Sequence, residues 1–177
     1  MMNYQPKHSD KKQVPGYSDL NPNDVVFTPH HIAETVIRWV NPKGKCLDPC
    51  MGEGAFYNLL SEPRYWCEIT KGRNFYEFNE KMDWIIGNPP YSDFNLFLQH
   101  SFKLAENVVF LVPVAKIFKS WKTINVIRQY GGIVKMWLVP ANRCGFPFGF
   151  PAMAVHFKRN YIGKTKIEYA PESISHN

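Results

Sequence analysis

From Thr28 onward, helical and strand signals alternate along this chain, and no other feature constrains its architecture as tightly. Thr28-Pro29 opens the first helix, since threonine can cap free amides and proline is at home in the first turn. Ile32, Val36 and Val40 then repeat at helical spacing and predict a core stripe. Lys45-Cys46-Leu47 reads as a short buried strand and Gly54 to Leu60 as a helix. Tyr65-Trp66-Cys67 is the next strand and Asp83 to Gly87 another. Phe94, Phe97, Leu98, Phe102 and Ala105 mark an amphipathic helix; Val108 to Val112 is an almost wholly apolar strand ended by Pro113. Ile117 to Gln129 has a helical pattern, and Ile133 to Val139 and Ala152 to Phe157 close the sheet. Pro140, Pro147 and Pro151 make the link between those last strands a loop, which suits an antiparallel pair. The expectation is an α/β, doubly wound, mostly parallel sheet with an antiparallel last strand.

Residues 1–23 carry Pro6, Pro15, Gly16 and Pro22 among polar residues without periodicity, and read as a mobile arm before one domain, 24–177. A chain of 177 residues buries roughly 70% of its unfolded surface, enough for a real core. No apolar run reaches the roughly 18 residues of a membrane span, and Met1 to Lys12 is too polar for a secretory signal. Cys46, Cys50, Cys67 and Cys144 show no CxxC pair or metal-ligand spacing, so a cytoplasmic, disulfide-free, metal-free protein is expected. The net charge of +6 favours a polyanionic partner, although basic charge also serves solubility.

Two loops carry the chemistry. Asp48-Pro49-Cys50-Met51-Gly52-Glu53-Gly54 follows one apolar strand, and Asn88-Pro89-Pro90-Tyr91 follows another, Trp84-Ile85-Ile86. Ligands in a doubly wound sheet sit beyond the carboxyl ends of the strands, where such loops open. Gly52 and Gly54 lack a Cβ and let the backbone pass close to a ligand, though glycine pairs are also common in plain turns. Asn-Pro-Pro can likewise be nothing more than a rigid turn.

In this order and spacing, the pair resembles the two signature loops of adenine-specific methyltransferases that use S-adenosylmethionine. The resemblance spans about Phe27 to Val112, and its motif order is similar to the gamma arrangement of the family. It implies a seven-stranded, Rossmann-like methyltransferase sheet, shortened here. It also implies that the glycine loop, with Asp48 and Pro49, wraps the amino-acid end of the methyl donor. Glu68 would meet the ribose, Asn74 and Phe75 the adenine, and Phe27-Thr28-Pro29 would place a helix amino terminus by the carboxylate; taken singly, Phe75 is more simply core and Glu68 a solvated strand end. In most of the family a helix and a further strand separate the ribose acid from that aromatic. Glu68 and Phe75 are too close for this unit, so either it is deleted or Glu68 is not the ribose ligand.

By the same resemblance, Asn88, Pro89, Pro90 and Tyr91 are catalytic. The Asn88 oxygen and the Pro89 carbonyl would accept the two hydrogens of an amine, and Tyr91 would stack on the base. A base in a duplex must be flipped to reach such a pocket. Lys116, Lys119 and Lys122 fall on one face of the expected helix, interleaved with Phe118 and Trp121, and could contact nucleic-acid phosphates or simply be solvated. Phe146 and Phe148 belong to an aromatic loop similar to one that cups the flipped base in relatives, or equally form a hydrophobic lid.

Three functions therefore stand open. The first is a DNA adenine methyltransferase using S-adenosylmethionine. Nothing after the last strand is long enough for a target-recognition domain, so specificity would be loop-borne, lent by a partner subunit, or absent. The second is an RNA adenine or protein glutamine methyltransferase. The third is a catalytically inactive methyltransferase fold that binds nucleic acid.

Overall fold

Long apolar stretches alternate with amphipathic ones, and in the computed structural model they become seven strands of one sheet with helices on both faces. The structure describes residues 26–139 and 152–170. The strands are β1 (Cys46–Asp48), β2 (Arg64–Trp66), β3 (Met82–Gly87), β4 (Ala105–Pro113), β5 (Gly131–Val139), β6 (Ala152–Arg159) and β7 (Lys166–Tyr169). Their order across the sheet is β2-β1-β3-β4-β6-β5-β7. Pairing is parallel from β2 through β4 and between β5 and β7. β6 alone runs antiparallel, to β4 on one side and β5 on the other. The expected architecture holds.

The helices are α1 (His30–Val40), α2 (Phe94–Leu104), α3 (Val114–Phe118) and α4 (Trp121–Tyr130). Alternation along each strand sends one residue to each face. Ile86, Val109, Leu111 and Trp137 pack with Ile32 and Val36 of α1. Ile85, Val108 and Phe110 pack on the other face with Phe97, Leu98 and Phe102 of α2, along with Ile127 of α4. Complete burial of such a side chain contributes about 1.5–3 kcal/mol, so the two clusters fix both faces of the sheet. α1 ends where Asn41 turns left-handed, with φ 48°, and its N–H donates to the Ile37 carbonyl.

Four details correct the sequence reading. Pro29, not Thr28, occupies the position before α1, and no side chain caps that end. Gly54 to Leu60 is not a helix but a turn leading into a short 3-10 stretch, Tyr57–Leu59, because Gly54 adopts φ +90° and leaves too few residues for helical turns. The stretch from Ile117 to Gln129 breaks into α3 and α4, with Ser120 capping the second through the Lys122 amide. Lys116, Lys119 and Lys122 therefore do not share one continuous helical face. The antiparallel strand is also not the last, since β7 follows it and adds a parallel edge.

After β2 the chain makes only 3-10 turns before β3, and no strand pairs with the outer edge of β2 among the described residues. The short Glu68–Phe75 segment therefore holds no strand–helix unit. Residues 1–23 and the aromatic loop with Phe146 and Phe148 lie outside the described residues.

Candidate active site

β1 and β3 are neighbouring parallel strands, so the loops that leave their carboxyl ends emerge side by side. Their approach is close. A Cβ on Gly87, the last residue of β3, would lie 3.0 Å from Pro49 Cδ and 3.1 Å from Asp48 Oδ1. The Cys50 thiol donates to the Asn88 carbonyl at 3.0 Å. Burial first, then the charges of Asp48 and Glu68, hold the Cys50 pKa well above the usual thiol value, which keeps the proton that this bond needs.

Between these loops and the entry to α1 lies a cleft of about 280 Å³. Its walls include Phe27 and Thr28 on one side, Gly52 and Gly54 on another, and Asn88 at the strand tip. The glycines are required by conformation: φ is +53° at Gly52 and +90° at Gly54, and a Cβ on Gly54 would meet Asn58 Nδ2 at 2.8 Å. The ring of Phe27, 54% exposed, stands over the loop at 3.6 Å from where a Gly52 Cβ would sit.

Asp48 is buried beneath this loop rather than presented to the cleft. Its Oδ1 accepts the Cys50 amide at 3.2 Å and its Oδ2 the Tyr57 amide at 3.1 Å. Burial raises its pKa from 3.8 to about 7; the two backbone bonds oppose that rise and Glu68 adds to it. Glu68 is similarly engaged. Its Oε2 accepts the Gly52 amide at 2.8 Å and its Oε1 accepts the amide and hydroxyl of Thr70. Lys71 Nζ reaches the Gly52 carbonyl at 2.9 Å, so both sides of this peptide segment are pinned.

Asn74 caps the turn at Tyr76 through Oδ1. Phe75 is buried in the core, with ring centroids 4.5 Å from Phe97 and 4.8 Å from His100. These two residues do not line the cleft, and neither does Pro49. The sequence reading brought Phe27, Thr28, Gly52, Gly54 and Asn88 together; it assigned no role to His30, Cys50 or Asn58, which also face the space. His30 and Asn58 flank known motifs but carry no spacing signature, so only the fold could add them.

The tetrapeptide is held from two further directions and braced within itself. Asn88 Nδ2 donates to the Val26 carbonyl at 3.1 Å, and its Oδ1 accepts the Tyr91 hydroxyl at 3.0 Å. Lys116 Nζ donates to the Tyr91 carbonyl at 2.7 Å, which ties α3 to the loop. That bond gives Lys116 a protein partner where the sequence reading offered a phosphate contact or a solvated face. Lys119 and Lys122 remain exposed. Among the described residues no cluster of His, Cys, Asp or Glu could hold a metal ion, and no helix is long and apolar enough to cross a membrane.

No family model and no curated protein matches the sequence. Solved structures do share its fold. A modification subunit of a type I restriction enzyme from Vibrio vulnificus aligns over 86% of this chain and 49% of its own, with 14% identity and a TM-score of 0.64. A protein of Listeria monocytogenes described as a class I S-adenosylmethionine-dependent methyltransferase aligns over 89% of this chain and 69% of its own, at 15% identity and TM-score 0.67. One from Pyrococcus horikoshii described as an RNA methyltransferase aligns over 83% and 93%, at 13% identity and TM-score 0.58. The chain thus has the Rossmann-like fold of these proteins, and spans about half the length of the modification subunit.

Proposed function

We propose that this chain is an S-adenosylmethionine-dependent methyltransferase acting on the exocyclic amine of adenine in DNA. One observation carries the reading: Asn88 and the Gly52–Gly54 loop, from neighbouring strand tips, line a single cleft. The modification subunit from Vibrio vulnificus and the Listeria protein, both sharing the fold, support the chemistry and the choice of DNA.

The cleft fits the amino-acid end of the donor. Its floor is backbone freed by glycines, Phe27 offers an apolar wall, and Thr28 lies beside the start of α1. When bound there, S-adenosylmethionine would supply a methyl group already activated on a sulfonium, so the protein's task is alignment, worth roughly 7–11 kcal/mol. Glu68 is the assigned ribose ligand, and to serve it would exchange its Gly52 bond for the sugar hydroxyls. Phe75 would support the adenine end from within the core.

Asn88 Oδ1 has two lone pairs and spends one on Tyr91, which leaves one for an amine hydrogen. The Pro89 carbonyl takes the second hydrogen, which frees electron density on nitrogen for attack. Pro90 stiffens the turn and Tyr91 stacks on the base. Duplex substrate would be flipped, at a cost of a few kcal/mol. Lys119 and Lys122 would hold the flanking strand, and Phe146 and Phe148 would cup the flipped base. A partner subunit would supply sequence recognition, a reading that the likeness to a type I restriction-modification assembly supports. Tritium transfer from the donor across DNA, RNA and protein, followed by nucleoside analysis, tests the reading. Label in N6-methyladenine of DNA is expected. Label confined to RNA would favour the second reading, which the likeness to the Pyrococcus protein motivates.

A further inference from the structure

The junction of α3 and α4 puts large aromatic rings in water at the strand-tip end of the sheet. Phe118, the last residue of α3, is 50% exposed, and Trp121, the first of α4, is 66% exposed. Lys119 and Lys122 are exposed beside them and form no ion pair among the described residues. Ala115 completes this open surface. Exposed aromatics of this size are costly to leave in water, and a run of them between cations marks a binding surface.

The charge along this stretch of the sequence is one-sided. Between Glu106 and Glu168 the sequence contains no acidic residue, while basic ones recur from Lys116 to Lys166. The partner that complements this surface is therefore a polyanion carrying flat apolar groups. A base-paired duplex hides the faces of its bases in the stack and offers the protein mainly phosphates. An unpaired strand offers both phosphates and base faces.

Three contacts join this junction to the candidate site. β4, which leads into α3, lies beside β3, whose tip bears the tetrapeptide. Lys116 Nζ holds the Tyr91 carbonyl. Thr123 Oγ1 donates to Asn95 Oδ1 at 2.8 Å, which binds the first turn of α4 to the first turn of α2, just after the tetrapeptide. A strand lying across the junction would thus run next to the residues that receive the reacting amine.

We propose that the α3–α4 junction is a docking surface for unpaired DNA next to the target base, with Phe118 and Trp121 stacking on its bases and Lys119 and Lys122 on its phosphates. The inference rests on the reading of the tetrapeptide loop as the reaction centre for a DNA substrate. It adds a requirement that reading lacks: the bases beside the target must be unpaired when the protein engages them.

The test uses the full chain and a fluorescently labelled oligothymidylate, which contains no adenine and so takes no part in methyl transfer. Anisotropy should show binding that weakens by about fivefold to about a hundredfold in W121A and in F118A. In K119Q/K122Q the slope of log affinity against log salt should fall by about 1.4. A guanine–cytosine duplex should bind more weakly than the single strand and be indifferent to W121A. All four side chains are exposed, so thermal midpoints should match wild type; W121L serves as a second variant with a smaller change in volume. Wild-type affinity in both aromatic variants, equal binding of the duplex, or stronger binding of oligouridylate would each overturn the proposal. Binding without DNA methylation would refute the proposed reaction and leave this surface standing. Methylation with no oligothymidylate binding would do the reverse.

Discussion

The two halves of the sheet are built differently. On the side that bears the cleft, β1 and β2 are 3 residues each and β3 is 6. On the other side, β4 and β5 are 9 residues and β6 is 8, with long antiparallel ladders on both sides of β6. Short strands release their loops early, and the loops then depend on side chains for their shape: Asp48 pins the amides of Cys50 and Tyr57, and Glu68 pins Gly52. In the long-strand half the ladder itself does that work. Burial there is nearly continuous, from Val108 to Pro113 and from Ala152 to Phe157. The lesson is a division of labour, with reactive geometry placed where backbone pairing is least and mechanical support where it is greatest.

This division predicts that changes at the short-strand tips damage chemistry far more than folding. Asn88→Ala should produce the largest effect on the reaction step itself. It removes one of two acceptors for the amine and the anchor to Val26, and methyl transfer should fall at least about 100-fold, the scale seen when one preorganised hydrogen-bond partner is lost. Donor affinity, measured by calorimetry, should change little. An equal loss of donor binding would mean that Asn88 shapes the cofactor cleft and not the reaction alone.

The largest effect on donor binding belongs to Gly52→Arg. At φ +53°, facing the Phe27 ring, an arginine strains the backbone and fills the cleft. Calorimetry should detect no donor uptake, while the thermal midpoint drops by only a few degrees. Uptake by the variant at wild-type affinity would show that the donor binds elsewhere. A smaller effect is expected for Lys116→Met, which loses the bond to the Tyr91 carbonyl from α3. The turnover rate should fall about tenfold with donor affinity intact, the size of one lost hydrogen bond to a charged group. Recovery in Lys116→Arg would show that the bond positions the loop.

The contrast between halves also explains what could be read from the sequence. Strands β3, β4 and β6 are apolar runs whose burial dictates their conformation, and the proline-rich link between β5 and β6 pointed to their antiparallel pairing. β7 escaped notice because its Lys166-Ile167-Glu168-Tyr169 alternation covers only four residues of an exposed edge strand, too short to stand out from a loop. Ala55, Phe56, Leu59 and Leu60 repeat at helical spacing, yet the left-handed Gly54 prevents a helix there. Gly52, Gly54 and Asn88 were legible as cleft residues because backbone conformation and strand ends demand those types. Phe75, taken alone, read as core, and only the ordered set of motifs drew it toward the cofactor. Its packing partners, His100 and Phe97, arrive from α2, which no local pattern encodes.

The smallest predicted effect is the most discriminating, because it sets one buried group from each half against the other. Asp48 has a folded pKa of about 7, above its ordinary 3.8. Its contribution to stability is complete below about pH 4 and is lost as pH rises through about 7. His156, on β6, lies under Trp84 with its Nε2 3.0 Å from Asn107 Oδ1. The Asn107 amide nitrogen donates to the Asp83 carbonyl, so that oxygen must accept and Nε2 must carry the proton. Nδ1 is then bare and buried, without a partner among the described residues. Burial first, then Lys135 and Lys158, lowers the His156 pKa from 6.5 to about 4. Its contribution has the opposite sign, complete above about pH 6.5 and lost as pH falls through about 4. The two slopes overlap between about pH 4 and 7 and largely cancel, so the wild-type thermal midpoint should be nearly flat there. Asp48→Asn should expose a midpoint that climbs with pH, and His156→Gln one that declines. If both variants track the wild-type profile, the buried carboxyl and imidazole do not differ in protonation from the unfolded chain, and the short strand tips store no such charge-dependent stability.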